Sequence, residues 1–164
     1  MQHKKKLTFA WNISALGTDK DNWILTGIID KSYFSKVEVG EKYYFEDIGL
    51  RNVICGYRPD DIAKILENVV YNHLIIAGHK VFVGKHGTKE IDFIAERNGE
   101  TIYIQVCYLL TGENVMEREF GNLLAIPDNY KKYVVSMDMM TAPNTFKGIE
   151  HKYIPDFCKE LTAD

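Results

Sequence analysis

Residues 89–108 constrain the fold more than any other stretch. Glu90-Ile91-Asp92-Phe93-Ile94 and Thr101-Ile102-Tyr103-Ile104-Gln105-Val106-Cys107-Tyr108 are two strand-like runs on either side of Asn98-Gly99. Asn-Gly between such runs reads as a tight hairpin turn, because both central residues must take positive φ. An acid interrupts the first apolar run and an amide the second. Alternation puts Glu90, Asp92 and Ile94 on one face of the first strand and Ile91, Phe93 and Ala95 on the other. Tyr103, Gln105 and Cys107 share a face of the second. In a suitable register, Asp92 and Gln105 project into one cleft, the pairing a divalent-metal phosphodiesterase site uses.

The surrounding pattern supplies the rest of a sheet and its cover. Pro59-Asp60-Asp61 is a helix start, with Asp60 as the cap and acids in the first turn. Ile62, Leu66, Val69, His73 and Ala77 then fall on one stripe, flanked by Ile65, Val70 and Leu74, and Gly78 stops the helix. Lys80 to Gly84 is a short strand, and Lys89 to Glu96 and Thr101 to Tyr108 form the hairpin. Gly112 to Leu124 is a helix and Lys132 to Ser136 a buried strand. Residues 139–148 are a loop, Glu150 to Ile154 a last edge strand, and Asp156 to Leu161 a closing helix. The core order αβββαβ predicts an α/β fold, a mixed central sheet flanked by helices. Asp47-Ile48-Gly49-Leu50 reads as a turn packed on the core. Residues 1–41 form a β-rich, irregular lead-in, and residues 42–164 the folded domain.

With 164 residues, the chain is long enough for one domain with a real core. Its formal net charge of -3 provides no global basic field for nucleic acid, although a local basic groove is compatible with that total. Cys55, Cys107 and Cys158 are widely spaced and odd in number, so a reducing, cytoplasmic setting is expected rather than a disulfide framework. No apolar run approaches the ~18 residues of a membrane span, and Leu7 to Trp11 is too short for a signal-peptide core.

Candidate site residues follow from the hairpin outward. Glu67 sits at the edge of the helical stripe, where a helix packed on the sheet aims it at Asp92. Magnesium or manganese takes oxygen ligands, and Asp92, Glu67, the side-chain oxygen of Gln105 and the carbonyl of Val106 would supply them. Hydrolysis also needs a lysine to orient the attacking water. Position 107 holds Cys107, so Lys85 or Lys89 would have to stand in. Each residue has a plainer reading. Gln105 reads first as a hydrogen-bonded buried amide, Cys107 as a small core residue, His73 as a hydrogen-bonded core histidine, and Arg118 as a surface or ion-paired residue. Asp92 divides evenly between a site role and a strand-edge acid paired with Lys85 or Lys89.

Several separated blocks resemble a known family: residues 42–52, 66–74, 90–93, 103–106, Arg118-Glu119 and 132–138. In this order they resemble the C-terminal domain of unknown function carried by many bacterial and archaeal AAA-type ATPases, which is similar to the restriction-endonuclease-like PD-(D/E)xK fold. The resemblance implies Asp92 as the motif aspartate, Gln105 at the (D/E) position, Cys107 at the lysine position and Glu67 as the helix acid. Gln105 and Cys107 depart from that pattern, which implies weak or lost hydrolysis. No GxxxxGK[ST] occurs, so the ATPase half is absent from this sequence. The expected role is an accessory module, a degenerate nuclease-like domain. Its expected partners are an ATPase domain, upstream or in trans, or nucleic acid, or a second copy in a homo-oligomer. The alternative is an active Mg²⁺- or Mn²⁺-dependent nuclease with a rearranged site.

Overall fold

A computed structural model describes residue 42 and residues 44–139 and 143–162. The expected lead-in over residues 1–41 lies outside them. Six strands form one mixed sheet in the order β1-β2-β3-β4-β6-β5. β1 (Lys80–His86), β2 (Lys89–Arg97) and β3 (Glu100–Val106) are an antiparallel meander. β4 (Lys131–Ser136) joins β3 in parallel, β6 (Ile149–Tyr153) joins β4 in parallel, and the two-residue β5 (Thr145–Phe146) pairs antiparallel with β6. β5 falls inside the expected 139–148 loop; two residues are too few for alternation to register.

The hairpin turn forms as its chemistry dictates. Asn98 (φ 52°) and Gly99 (φ 84°) both take the left-handed conformation. Helices cover both faces. α2 (Ile62–Ile76) and α4 (Ile154–Thr162) pack on one, burying Leu66, Val70, Tyr71, Leu74, Phe157 and Cys158 against Phe93, Ile104, Val106 and Val135. α3 (Glu113–Leu124) packs on the other, where Phe120 and Leu123 meet Ile91, Ile94, Tyr103, Cys107 and Val134.

Two expectations are corrected at the start of the domain. Residues 47–50 open a helix, α1 (Ile48–Cys55), whose N-terminus Asp47 caps by accepting from the Leu50 N–H at 2.8 Å. The helix expected from Pro59 begins as a single 3-10 turn (Pro59–Asp61) before α2. Asp61 there is held by Arg51 and Arg58 at 3.4 and 3.3 Å. The buried stripe of α2 is also turned from the expected one. Asn68 and Tyr71 are buried, while His73 is half-buried and its Nδ1 lies 2.9 Å from the Val69 carbonyl.

Candidate functional site

The β1–β2 ladder carries an irregularity next to Asp92. Phe82 pairs with Ile94 and Gly84 with Ile91, so β2 spends three residues where β1 spends two. Asp92 and Phe93 therefore both stand opposite Val83, a β-bulge. Gly84 makes room for it: a Cβ there would lie 2.6 Å from Ile94 Cδ1 and 3.3 Å from Ile91 Cβ.

The bulge changes which side chains share a face. Ile91 and Ile94 both enter the α3-side core, and Phe93 and Ala95 the α2-side core. Asp92 turns to the α2 side. The expected grouping of Ile91 with Phe93 and Ala95 is therefore corrected, because strict period-two alternation fails across a bulge. β3 stays regular. Gln105 lies between Tyr103 and Cys107 in the alternation and is paired with Val134, all on the α3 side. Asp92 and Gln105 thus point to opposite faces, and the shared cleft expected of them is not formed. Among the described residues, the buried side-chain oxygen of Gln105 has no hydrogen-bond partner, so the reading of Gln105 as a satisfied amide does not hold for that atom.

On the α2 side, Asp92 is 6% exposed, and its Oδ2 accepts from the Val106 N–H at 2.8 Å. Val106 thus meets Asp92 through its N–H; a role for its carbonyl is not part of this contact. Glu67 does approach from α2, as expected. Between the acids lies a residue that the sequence reading missed as a site group. Lys42 Nζ stands 2.5 Å from Glu90 Oε1, 3.6 Å from Glu67 Oε2 and 3.9 Å from Asp92 Oδ1. The Tyr44 hydroxyl donates to Glu67 Oε2 at 3.4 Å. Burial, and next the Glu67 charge, push the Asp92 carboxyl well above its ordinary value, against the pull of Lys42. Burial also raises Glu67, opposed by Lys42. Burial alone would lower Lys42, but the charges of Glu67, Asp92 and Glu90 raise it. The cluster is thus one ammonium shared by three carboxylates.

Lys85 faces Glu90 across the β1–β2 ladder, and Lys89 pairs with His86 at its end. Lys89 Nζ lies 3.7 Å from where a Cβ of Gly121 on α3 would be, on the far side of the sheet from Asp92. Among the described residues, neither Lys85 nor Lys89 forms an ion pair with Asp92; the ammonium of Lys42 stands 3.9 Å from it. Cys107 is buried, and burial first, then the Glu119 charge, push its thiol up to about 12, which keeps it protonated and a poor nucleophile. Arg118 is exposed and ion-paired with Glu119 at 2.6 Å.

A magnesium or manganese ion does not fit these donors as they stand. Gln105 is on the wrong face, and an ammonium fills the space between Glu67, Glu90 and Asp92. Among the described residues, no group of three or more His, Cys, Asp or Glu is arranged to hold a metal. No helix among them is long and apolar enough to cross a membrane.

No protein-family model matches the chain, and no solved structure matches it. An uncharacterized protein of Haemophilus influenzae is 38% identical over 121 residues, covering 74% of this chain and 29% of its own length. The chain therefore spans less than a third of the length of the curated relative it matches.

Proposed function

We propose that this chain is a restriction-endonuclease-like module that has lost catalysis and serves as the C-terminal accessory domain of a AAA-type ATPase. One observation carries the reading: Lys42 occupies the space among Glu67, Glu90 and Asp92 where a catalytic cation would have to sit. Two further features support it. The amide at the (D/E) position faces away from Asp92, and a protonated Cys107 takes the place of the lysine. The αβββαβ core, with its hairpin and parallel crossover, supports the fold assignment. The length of the relative leaves ample room for an ATPase half elsewhere in such proteins.

The partner we favour is protein, the ATPase domain in cis or in trans. Nucleic-acid affinity comes mainly from cations that neutralise phosphates. The face around Asp92 offers three carboxylates to one ammonium and opposes that. The test is cleavage of single- and double-stranded DNA by purified protein with Mg²⁺ or Mn²⁺. No cutting above a metal-free control is expected. Cutting that Asp92→Ala abolishes would overturn this reading in favour of an active nuclease.

A further inference from the structure

On the α3 side of the sheet, the end of α3, the loop into β4 and the β5–β6 turn border a cavity of about 380 Å³. That is the size of a small-molecule site. Its floor is apolar: Leu123, Ile126 and Ile149 are buried there as part of the α3-side core. Its wall is polar and holds Asp128, Lys132 and Lys147.

The charges of that wall do not cancel. Asp128 is already engaged. Its Oδ2 accepts from the Tyr103 hydroxyl at 2.6 Å, and its Oδ1 accepts from the Lys132 ammonium at 3.1 Å and from the Tyr130 N–H at 3.3 Å. Lys132 also donates to the Asp128 carbonyl at 2.6 Å, so this acid and this ammonium neutralise each other. Lys147 forms no ion pair among the described residues. Its ammonium lies 5.2 Å from the centroid of the Phe146 ring, and that ring packs on Phe120 of α3 at 5.1 Å. Lys147 (φ 50°) and Gly148 (φ 85°) form the turn between the paired residues Phe146 and Ile149. Asparagine or glycine is the ordinary occupant of such a position, and a lysine there is strained. The turn itself does not call for a lysine; what the residue adds is an ammonium at the cavity.

We propose that this cavity binds a small organic monocarboxylate. The apolar body lies on Leu123, Ile126 and Ile149, and the carboxylate pairs with Lys147 Nζ. One spare cation calls for one anionic charge, and the apolar floor calls for a hydrocarbon part rather than a bare inorganic anion. The site is on the other side of the sheet from Asp92, and it does not depend on the reading of the Glu67–Glu90–Asp92 cluster.

NMR titration of the whole chain with phenylbutyrate tests the site. The amide signals of Ile126, Lys132 and Ile149 are expected to shift saturably, with a roughly millimolar dissociation constant, the scale for a ligand of this size. Acetate lacks the apolar body and phenylbutanol lacks the charge, so each should bind at least about tenfold more weakly. Lys147→Gly removes the ammonium and suits the turn, so the folded spectrum should be kept while phenylbutyrate affinity falls about tenfold. Lys147→Arg keeps the charge and should stay within about threefold of the unaltered protein. If Lys147→Gly does not fold, Lys147→Asn carries the same test. No saturable shift at these signals, undiminished affinity in the variant without the ammonium, or phenylbutanol binding as tightly as phenylbutyrate overturns the proposal.

Discussion

On the α3 face of the hairpin, Tyr103, Cys107 and Ile94 lie in an apolar layer with Phe120 and Leu123, and the buried amide oxygen of Gln105 goes unpaired among them. On the α2 face, a few residues away along the same strands, Asp92, Glu90 and Glu67 are drawn around Lys42. A single extra residue in β2 separates the two outcomes. The bulge lies in the β1–β2 ladder, while the β2–β3 ladder keeps one register and ends at the Phe93–Ile104 pair, so Asp92 and Gln105 form no ladder pair. The pairing of residue types across a hairpin is therefore insufficient to define a site. The local register decides which types meet.

Gly84→Ala should break this comparison most severely. The new Cβ would press on Ile94 Cδ1 at 2.6 Å and on Ile91 Cβ at 3.3 Å, the two residues that flank the bulge. Overpacking of this kind costs ~1–3 kcal/mol, readable as a lower denaturant midpoint at unchanged slope. Unaltered stability would mean that Gly84 and the bulge are independent.

Gln105→Met sharpens the contrast on the α3 side. Removing a buried acceptor that has no partner among the described residues should leave stability unchanged or raise it by up to about 1 kcal/mol. Chemical denaturation measures this, and a clear loss would show that the amide has a role on that face.

The smallest effect concerns acidity on the α2 side. Burial, and then the Glu67 charge, place the folded Asp92 carboxyl above its ordinary value. On raising pH, the unfolded chain releases this proton before the folded chain does. The contribution of protonated Asp92 is therefore complete below about pH 4 and lost as pH climbs through the folded value. Asp92→Asn should flatten that part of the melting-temperature profile above about pH 4. Parallel profiles for the two proteins would contradict the raised value.

Much of the frame was legible beforehand. Asn98-Gly99 marked the turn, the helical period from Ile62 to Ala77 marked α2 although its buried stripe is turned, and Lys132 to Ser136 marked β4. Glu67 was rightly expected to approach Asp92. The bulge was missed because nothing within Lys89–Arg97 interrupts the alternation; its trace is Gly84 on the neighbouring strand, where a glycine inside a strand marks a close approach. α1 was missed because Asp47 and Gly49, its N-cap and second residue, together resemble a turn. Lys42 lay in a block that carried the family resemblance, yet no local pattern links it to acids on α2 and β2. Asn68 and Asn72, one turn apart on a helix, were the available sign that something polar docks there.

The central claim is that an internal ammonium, and no metal, neutralises the acids around Asp92. Isothermal titration of the purified protein with Mn²⁺ tests this most directly. The account predicts no saturable uptake at millimolar metal and a trace indistinguishable from that of Asp92→Ala. Saturable binding that disappears in Asp92→Ala would contradict it.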